Sequence, residues 1–411
     1  MNERIESIDV LRGFALLGIL IMNITSFAMP SMAYFSPVVY DINTLNHVIF
    51  SLTHIIADQK FMAIFSMLFG ASTILFINSV KIRGKRPLLL YYSRNFWLLI
   101  IGWIHSSYLW YGDILFIYAL CAFLLFFFKN LTPKKQFILG CLIYLIPSFS
   151  NYAAYEYVID YLDPAEQNDI IMHWNPSDKN LQQEIDAYRG SYKEQFRYRE
   201  QMWSSNNDNN DGIAEGIIGL SFLLDFFSRS FGMMLIGMAC FSWGVFSNTL
   251  TKSFYRKLLI YGFGIGLPLS IAGLFLNYSY DWNWKYIQFL GRTPNNIATP
   301  LIAFGYIGLI MLWIRKGSFI NLQEKLRSIG KTALSAYLIQ TVTATFIFYG
   351  IGLGLFGYVN RGYQLVIMFF IWGVLFKFCP LWLKNFQYGP VEWIWRMLTH
   401  LKLVPLLRQN K

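Results

Sequence analysis

The chain of 411 residues is 55% hydrophobic and only 14% charged, against ~45–50% and ~25% in soluble domains. Its apolar runs repeatedly reach the ~20 residues that cross a bilayer, which excludes a soluble multidomain protein. The net charge of +11 lies in short loops between those runs, where it reads as a topology signal and not as a nucleic-acid surface. Four cysteines fall in apolar segments and match no metal spacing, so no metal is expected. The fold class is therefore an all-α, polytopic transmembrane bundle, one domain over residues 1–411.

Ten spans are predicted, approximately at 9–29, 60–80, 93–110, 112–128, 135–155, 217–247, 254–277, 298–314, 330–349 and 363–384. The apolar stretch after Arg12 runs too long for a signal-peptide core, so it is expected to stay as the first span. In the 30–59 connection, Leu45–Ile56 is amphipathic and predicts a helix at the outer interface. Its His47 and His54 read as surface or capping residues. Lys81, Arg83, Lys85 and Arg86 follow span two, and Lys129, Lys134 and Lys135 follow span four. Lys252, Arg256 and Lys257 follow span six; Arg315, Lys316, Lys325 and Arg327 follow span eight. Every second loop is basic, which predicts cytoplasmic termini.

Residues 156–216 form the one sizeable soluble segment, an acidic extracytoplasmic insertion between spans five and six. It carries thirteen acids and five bases. Leu181–Met202 predicts an exposed helix, and Ser204–Gly212 a solvated linker that lacks the glutamate of a calcium loop. The closing stretch 389–404 is amphipathic and predicts a helix on the cytoplasmic surface.

Ionisable groups inside apolar spans are costly and concentrate at functional sites. Arg94 and His105 stand 11 residues apart and share a helical face. After the break Trp110-Tyr111-Gly112, Asp113 opens the next run and can return to the depth of His105. A histidine oriented by a carboxylate suits a general base. Arg12 and Asn23 are also 11 apart, so spans one and three repeat one pattern: a guanidinium inside and a hydrogen-bonding group outside. Two inner arginines suit a phosphorylated ligand such as coenzyme A; alternatively, Asp9 and Arg12 only pair with each other. Lys60 at the end of span two is read as snorkelling. Asp225 and Arg229 are spaced for an ion pair. Lys331, Thr332, Ser335, Tyr337 and Gln340 give span nine a polar face, and Ser335 and Gln340 either bridge helices or support a substrate, as Tyr118 could. Gly330-Lys331-Thr332 is no phosphate loop, because position 325 is Lys.

Five blocks, in order, resemble the YeiB family of bacterial inner-membrane proteins. They are Ser7-Ile-Asp9-Val-Leu-Arg12-Gly13 with Asn23; Lys60-Phe61-x3-Phe65-x2-Leu68-Phe69-Gly70; Gly102-x2-His105-x4-Trp110-x-Gly112-Asp113-Ile114-Leu115-x2-Tyr118; Gly330-x-Thr332-Ala333-Leu334-Ser335-x-Tyr337-x2-Gln340; and Gly389-Pro390-x-Glu392-Trp393-x-Trp395-Arg396-x2-Thr399. The opening block is also similar to that of heparan-α-glucosaminide N-acetyltransferase, with its Asp-x-x-Arg-Gly and an Asn ending the first span. The likeness implies a transmembrane acyltransferase that moves an acyl group from cytoplasmic acyl-CoA, acetyl-CoA for example, to a hydroxyl or amine. Asp9, Arg12, Gly13 and Asn23 carry over. The acetyltransferase's histidine soon after that Asn does not: position 34 here is Tyr, which leaves His105 as the base.

The expected roles are then His105, Asp113 and Asn23 in catalysis; Arg12, Arg94, Asp9 and Gly13 in acyl-CoA binding; and Lys60, Tyr118, Ser335 and Gln340 in substrate binding or support. Expected partners are membrane lipids and a small-molecule, lipid-headgroup or sugar acceptor, with no nucleic acid and a homodimer left open. The location implied is the bacterial inner membrane. A proton-coupled transporter using His105, Asp113 and Arg94 as a relay is the alternative; a scaffold acting through the acidic loop is the third reading.

Overall fold

The computed structural model describes residues 5–158, 171–172, 174–204 and 212–408. The acids Asp160, Asp163, Glu166 and Asp169 and the body of the Ser204–Gly212 linker lie outside these residues. The described chain is helical. Helices α1 (Glu6–Ala28), α2 (Thr44–Ile56), α3 (Lys60–Ile82), α4 (Pro87–Ile104), α5 (Leu115–Leu125) and α6 (Pro133–Ala153) form the first half. Two helices of the acidic insertion follow, α7 (Asp178–Arg189) and α8 (Tyr192–Ser204). The second half holds α9 (Gly212–Ser242), α10 (Lys252–Ser279), α11 (Thr293–Lys316), α12 (Ile320–Lys331), α13 (Ala333–Phe348), α14 (Arg361–Asn385) and α15 (Pro390–His400). Among the described residues, seven helical segments are long and apolar enough to cross a membrane, and α5 and α13 are shorter apolar helices. This is a membrane protein.

Local sequence sets the boundaries. Thr132 accepts a hydrogen bond from the Lys135 amide, with Pro133 in the first helical turn, and Thr251 and Asn360 cap α10 and α14 in the same way. Where apolar side chains meet lipid as readily as each other, close backbone approach holds helices together. A Cβ on Gly70 of α3 would fall 1.9 Å from Met234 O of α9, and one on Gly237 of α9 would fall 2.0 Å from Met67 O. Only glycine permits that crossing.

The basic loops gather at one end. Arg327 pairs with Glu6, the Ser7 hydroxyl donates to Phe246 O at 2.6 Å, and Arg315 donates to Asn248 O and Leu250 O, each at 2.7 Å. Arg83 lines a cavity bounded by α15, together with Arg12 and Lys331. The opposite end carries α2, whose Leu45, Val48, Leu52 and Ile56 face outward while Asn46, Phe50 and Thr53 face the bundle.

The acidic insertion departs from the exposed helix expected at 181–202. Gly190 breaks it into two helices, and Leu181, Ile185 and Tyr188, at helical spacing, are buried. Tyr188 stacks on Phe356 at 4.6 Å, Arg189 Nε donates to Phe356 O at 2.6 Å, and the Gly350 amide donates to Tyr188 O at 2.9 Å. The insertion is docked on the bundle.

Candidate functional site

Helix α4 ends in a wider turn at His105–Leu109, in which His105 O accepts the Trp110 amide at 2.9 Å. A Cβ on Gly102 would lie 2.5 Å from Phe116 N, so glycine lets α5 return directly against α4. The return brings Asp113 Oδ1 to 2.8 Å from His105 Nδ1, with both side chains buried. Asp113 Oδ2 accepts the Phe116 amide at 2.8 Å, which caps α5. His105 Nε2 lies 3.0 Å from Thr341 Oγ1 on α13. A carboxylate only accepts, so in the neutral ring Nδ1 carries the proton and Nε2 accepts from the Thr341 hydroxyl. Thr341 escaped the sequence reading; a hydroxyl in an apolar helix gives no signal of which ring it will meet.

A tunnel of about 170 Å³ leads toward this pair. Its walls include Leu16, Phe65, Phe69, Leu98, Ile114 and Leu115, and its inner end meets Tyr118 and Tyr337. The Tyr337 ring lies 5.2 Å from the His105 ring, between the imidazole and the tunnel. Arg12, Ser72, Arg94, Lys331, Glu392 and Trp395 line both the tunnel and a wider vestibule of about 300 Å³ at the basic end. The vestibule adds Arg83, Arg396 and His400. Burial, and then the charges of Arg396, Lys85 and Arg83, push the His400 imidazole pKa down.

The cations are held differently. Arg12 Nη1 donates to Asp9 Oδ1 at 3.2 Å and to Gly330 O at 3.3 Å, and Nη2 donates to Ser72 Oγ at 3.0 Å. The predicted Asp9–Arg12 pairing is present, and Arg12 still faces the cavity. The Arg94 guanidinium lies between the rings of Phe76 and Trp395, at 4.8 and 4.7 Å. Among the described residues no carboxylate lies within ion-pair distance of it. Trp395 is fixed in turn, its Nε1 donating to Arg94 O at 2.8 Å.

Glu392 closes the vestibule roof. Its Oε1 accepts the Leu334 and Ser335 amides, at 2.7 and 3.2 Å, and its Oε2 accepts the Ser335 hydroxyl. The N-terminus of α13 thus already holds a carboxyl group, supplied by α15. Ser335 also accepts the Val391 amide at 3.0 Å, and Gln340 Nε2 donates to Leu16 O at 3.3 Å. Both residues bridge segments. Helix α15 is therefore more than a surface helix: it packs on α4 and lines the site.

Other expected residues lie elsewhere. Asn23 is half-buried and lines neither compartment. Gly13 sits at a helix crossing. Lys60 does not snorkel: it is fully buried, because α2 folds over the end of α3. Its Nζ donates to His54 O at 2.7 Å and to Asn295 Oδ1. Asp225 and Arg229 form the expected pair, which Asn296 extends. Tyr118 does reach the tunnel, its hydroxyl 2.6 Å from Ser66 Oγ.

A protein family described as a protein of unknown function (DUF418) matches residues 240–402. The chain is 30% identical over 423 residues to the uncharacterized protein YxaH of Bacillus subtilis (strain 168), covering 100% of this chain and 98% of that one. It is 29% identical over 400 residues to the uncharacterized protein YeiB of Escherichia coli (strain K12), covering 97% and 96%. An uncharacterized 39.9 kDa protein in the amylase 3' region of Bacillus acidopullulyticus is 25% identical over 412 residues, covering 100% and 98%. No solved structure matches the chain.

Proposed function

The chain belongs to the YeiB family, and on that premise we propose that it is a bacterial inner-membrane acyltransferase drawing acyl groups from cytoplasmic acyl-CoA. One observation supports this reading: a cation-lined vestibule adjoins an apolar tunnel that reaches Tyr118 and Tyr337, and the Tyr337 ring packs on His105 of a buried His–Asp pair. The positive-inside rule puts the vestibule in the cytoplasm, where acyl-CoA resides. Arg94 has no carboxylate within ion-pair distance among the described residues, and Arg83, Lys331 and Arg396 line the same vestibule, which suits phosphate groups. The tunnel walls suit a pantetheine arm and a short acyl chain such as acetyl.

In the transfer, the acceptor oxygen or nitrogen bonds to the thioester carbon as the C–S bond breaks. The acceptor's proton passes to a base and ends on the departing sulfur. His105 would serve once Nε2 exchanges Thr341 for the acceptor, with Asp113 holding Nδ1–H and the ring's orientation. Asn23 lies away from both compartments, so the developing oxyanion falls to Tyr118 or Tyr337 in this reading. The acceptor is a hydroxyl or amine on a small molecule, a lipid headgroup or a sugar.

Calorimetric titration of acetyl-CoA into the purified protein tests the reading, with Arg94→Ala beside the parent. Micromolar binding that weakens in the variant supports it. A sample that keeps its thermal transition yet binds neither acetyl-CoA nor coenzyme A sinks it; solute uptake in proteoliposomes then addresses the transporter.

A further inference from the structure

At the basic end of the bundle, α12 and α14 leave between them an open groove of about 840 Å³. Its cations come from three segments. Lys325 and Lys331 stand on α12, Lys377 and Lys384 on α14, and Arg408 follows α15. Arg327 also lines the groove but is paired with Glu6, which leaves Glu324 as the one carboxylate among the described lining residues. Arg408 arrives because the chain end folds back on α14: its amide donates to Asn385 O at 3.0 Å, and the Gln387 amide donates to Leu406 O at 2.9 Å. Among the described residues, Lys325, Lys377 and Lys384 have no carboxylate within ion-pair distance. Like charges gathered in a cleft focus their field, and that field attracts an anion.

The placement of Lys377 identifies the kind of anion. On α14, Val366, Phe370, Gly373, Lys377 and Lys384 follow one another at helical spacing along one face. Val366 and Phe370 are exposed, a Cβ on Gly373 would meet nothing within 4 Å, and both lysines are exposed. The open face thus runs from apolar side chains to cations without interruption. Lys377 stands seven residues before Lys384, ~10 Å deeper along the axis at 1.5 Å per residue, within an apolar span. An ammonium on the outer face of a span is costly unless it reaches the interface or meets an anion there. A soluble phosphate would engage the cations and leave the apolar half of the face unused. A glycerophospholipid engages both, with its phosphate among the lysines and an acyl chain along Phe370 and Val366. A zwitterionic headgroup would bring its own cation among these, so the headgroup that fits is net negative.

We infer that the groove between α12 and α14 binds an anionic glycerophospholipid, with Lys325, Lys377, Lys384 and Arg408 around its phosphate and the α14 face from Val366 to Gly373 along one acyl chain. Lys331 lines both the groove and the vestibule, so the headgroup lies beside the vestibule. Its binding does not depend on what the vestibule holds.

Native mass spectrometry of the full chain in a neutral detergent tests the assignment, with phosphatidylglycerol and phosphatidylcholine of the same acyl chains titrated as probes. Phosphatidylglycerol should bind and phosphatidylcholine should not. The double variant Lys377→Gln/Lys384→Gln should weaken phosphatidylglycerol binding ~30-fold, at roughly fivefold for each cation beside an anionic lipid. Arg256→Gln/Lys257→Gln removes the same charge from exposed positions on α10 at the same end, and its affinity should stay within about twofold of the parent, since the lost charges lie outside the groove. Equal weakening in the two double variants would overturn the site, because attraction to the whole basic end would then account for the binding. Equal binding of the two lipids, or none by a parent that keeps its thermal transition, would overturn the ligand class. So would glycerol 3-phosphate binding as tightly as the lipid, which would make the occupant a soluble phosphate. Coenzyme A affinity should be the same in Lys377→Gln/Lys384→Gln as in the parent; a parallel loss would hand the groove to the coenzyme. A parent that binds coenzyme A but no phosphatidylglycerol leaves the acyl-transfer reading standing, and the converse result leaves the lipid groove standing.

Discussion

Gly13 of α1 and Gly330 of α12 meet backbone to backbone. A Cβ on Gly330 would fall 1.9 Å from Asp9 O, and one on Gly13 would fall 2.1 Å from Leu326 O. Those contacts hold α12 where Gly330 O accepts from Arg12 and Lys331 faces the vestibule. The glycine of the opening block is thus a condition for assembling the site, not a ligand contact. Gly13→Ala or Gly330→Ala should destabilise the fold by at least the ~1–3 kcal/mol of an overpacked core, read as a lower thermal transition in detergent. An unchanged transition would mean that the two helices can part without loss.

Arg94 should separate binding from stability. It forms π contacts with Phe76 and Trp395 and has no ion pair among the described residues. Arg94→Ala should therefore melt close to the parent while binding acetyl-CoA ~10–100-fold more weakly, the range of one charge-assisted hydrogen bond. The loss should shrink as salt is added, because screening is already strong over ~8 Å at physiological ionic strength. Equal affinities in calorimetry would remove Arg94 from the phosphate site.

What the sequence displayed depended on how close the partners stood in it. His105 and Asp113 are eight residues apart across a visible break, and Asp9 and Arg12 three apart in one helix, so both pairs were legible. The vestibule was not: Arg12, Arg83, Arg94, Lys331 and Arg396 arrive from five segments, and their convergence depends on crossings such as Gly13 with Gly330. Lys60 stood at a span end and resembled a snorkelling lysine until α2 covered it and Asn295 met it. Glu392 gave no hint that it would reach the first amides of α13. The docked insertion was half legible, since Leu181, Ile185 and Tyr188 share a face but nothing local names Phe356 as their partner.

Asp113 serves both the histidine and the start of α5, and two substitutions should divide these roles. Asp113→Asn keeps the shape and can still accept the Phe116 amide, but it no longer favours the proton on His105 Nδ1. Thiol release from acetyl-CoA in the presence of an acceptor should fall ~10²–10⁴-fold, the usual contribution of acid–base catalysis, with little change in melting. Asp113→Ala should also lose stability, by the ~1–3 kcal/mol of a buried group left without its partner. If Asp113→Asn releases thiol at the parent rate, the pair is structural and the base lies elsewhere.

Glu184 makes the docking of the acidic insertion sensitive to pH. It is buried on α7, its Oε1 accepts the Ser31 amide at 2.9 Å, and burial raises its carboxyl from an ordinary 4.5 to about 7. A raised carboxylate pKa means that the docked state holds its proton where the undocked state has released it. Docking is then tightest below about pH 4.5 and weakens as the pH rises to about 7, beyond which it is level. The full span is on the order of 3 kcal/mol, at 1.36 kcal/mol per unit. Hydrogen exchange of α7 and α8 should accordingly quicken, relative to the intrinsic rate, between pH 5 and 8. Glu184→Gln should flatten that dependence and leave the helices better protected at pH 8 than in the parent. Equal protection in parent and variant across the range would show that Ser31 and the surrounding apolar contacts hold α7 whether or not Glu184 is charged.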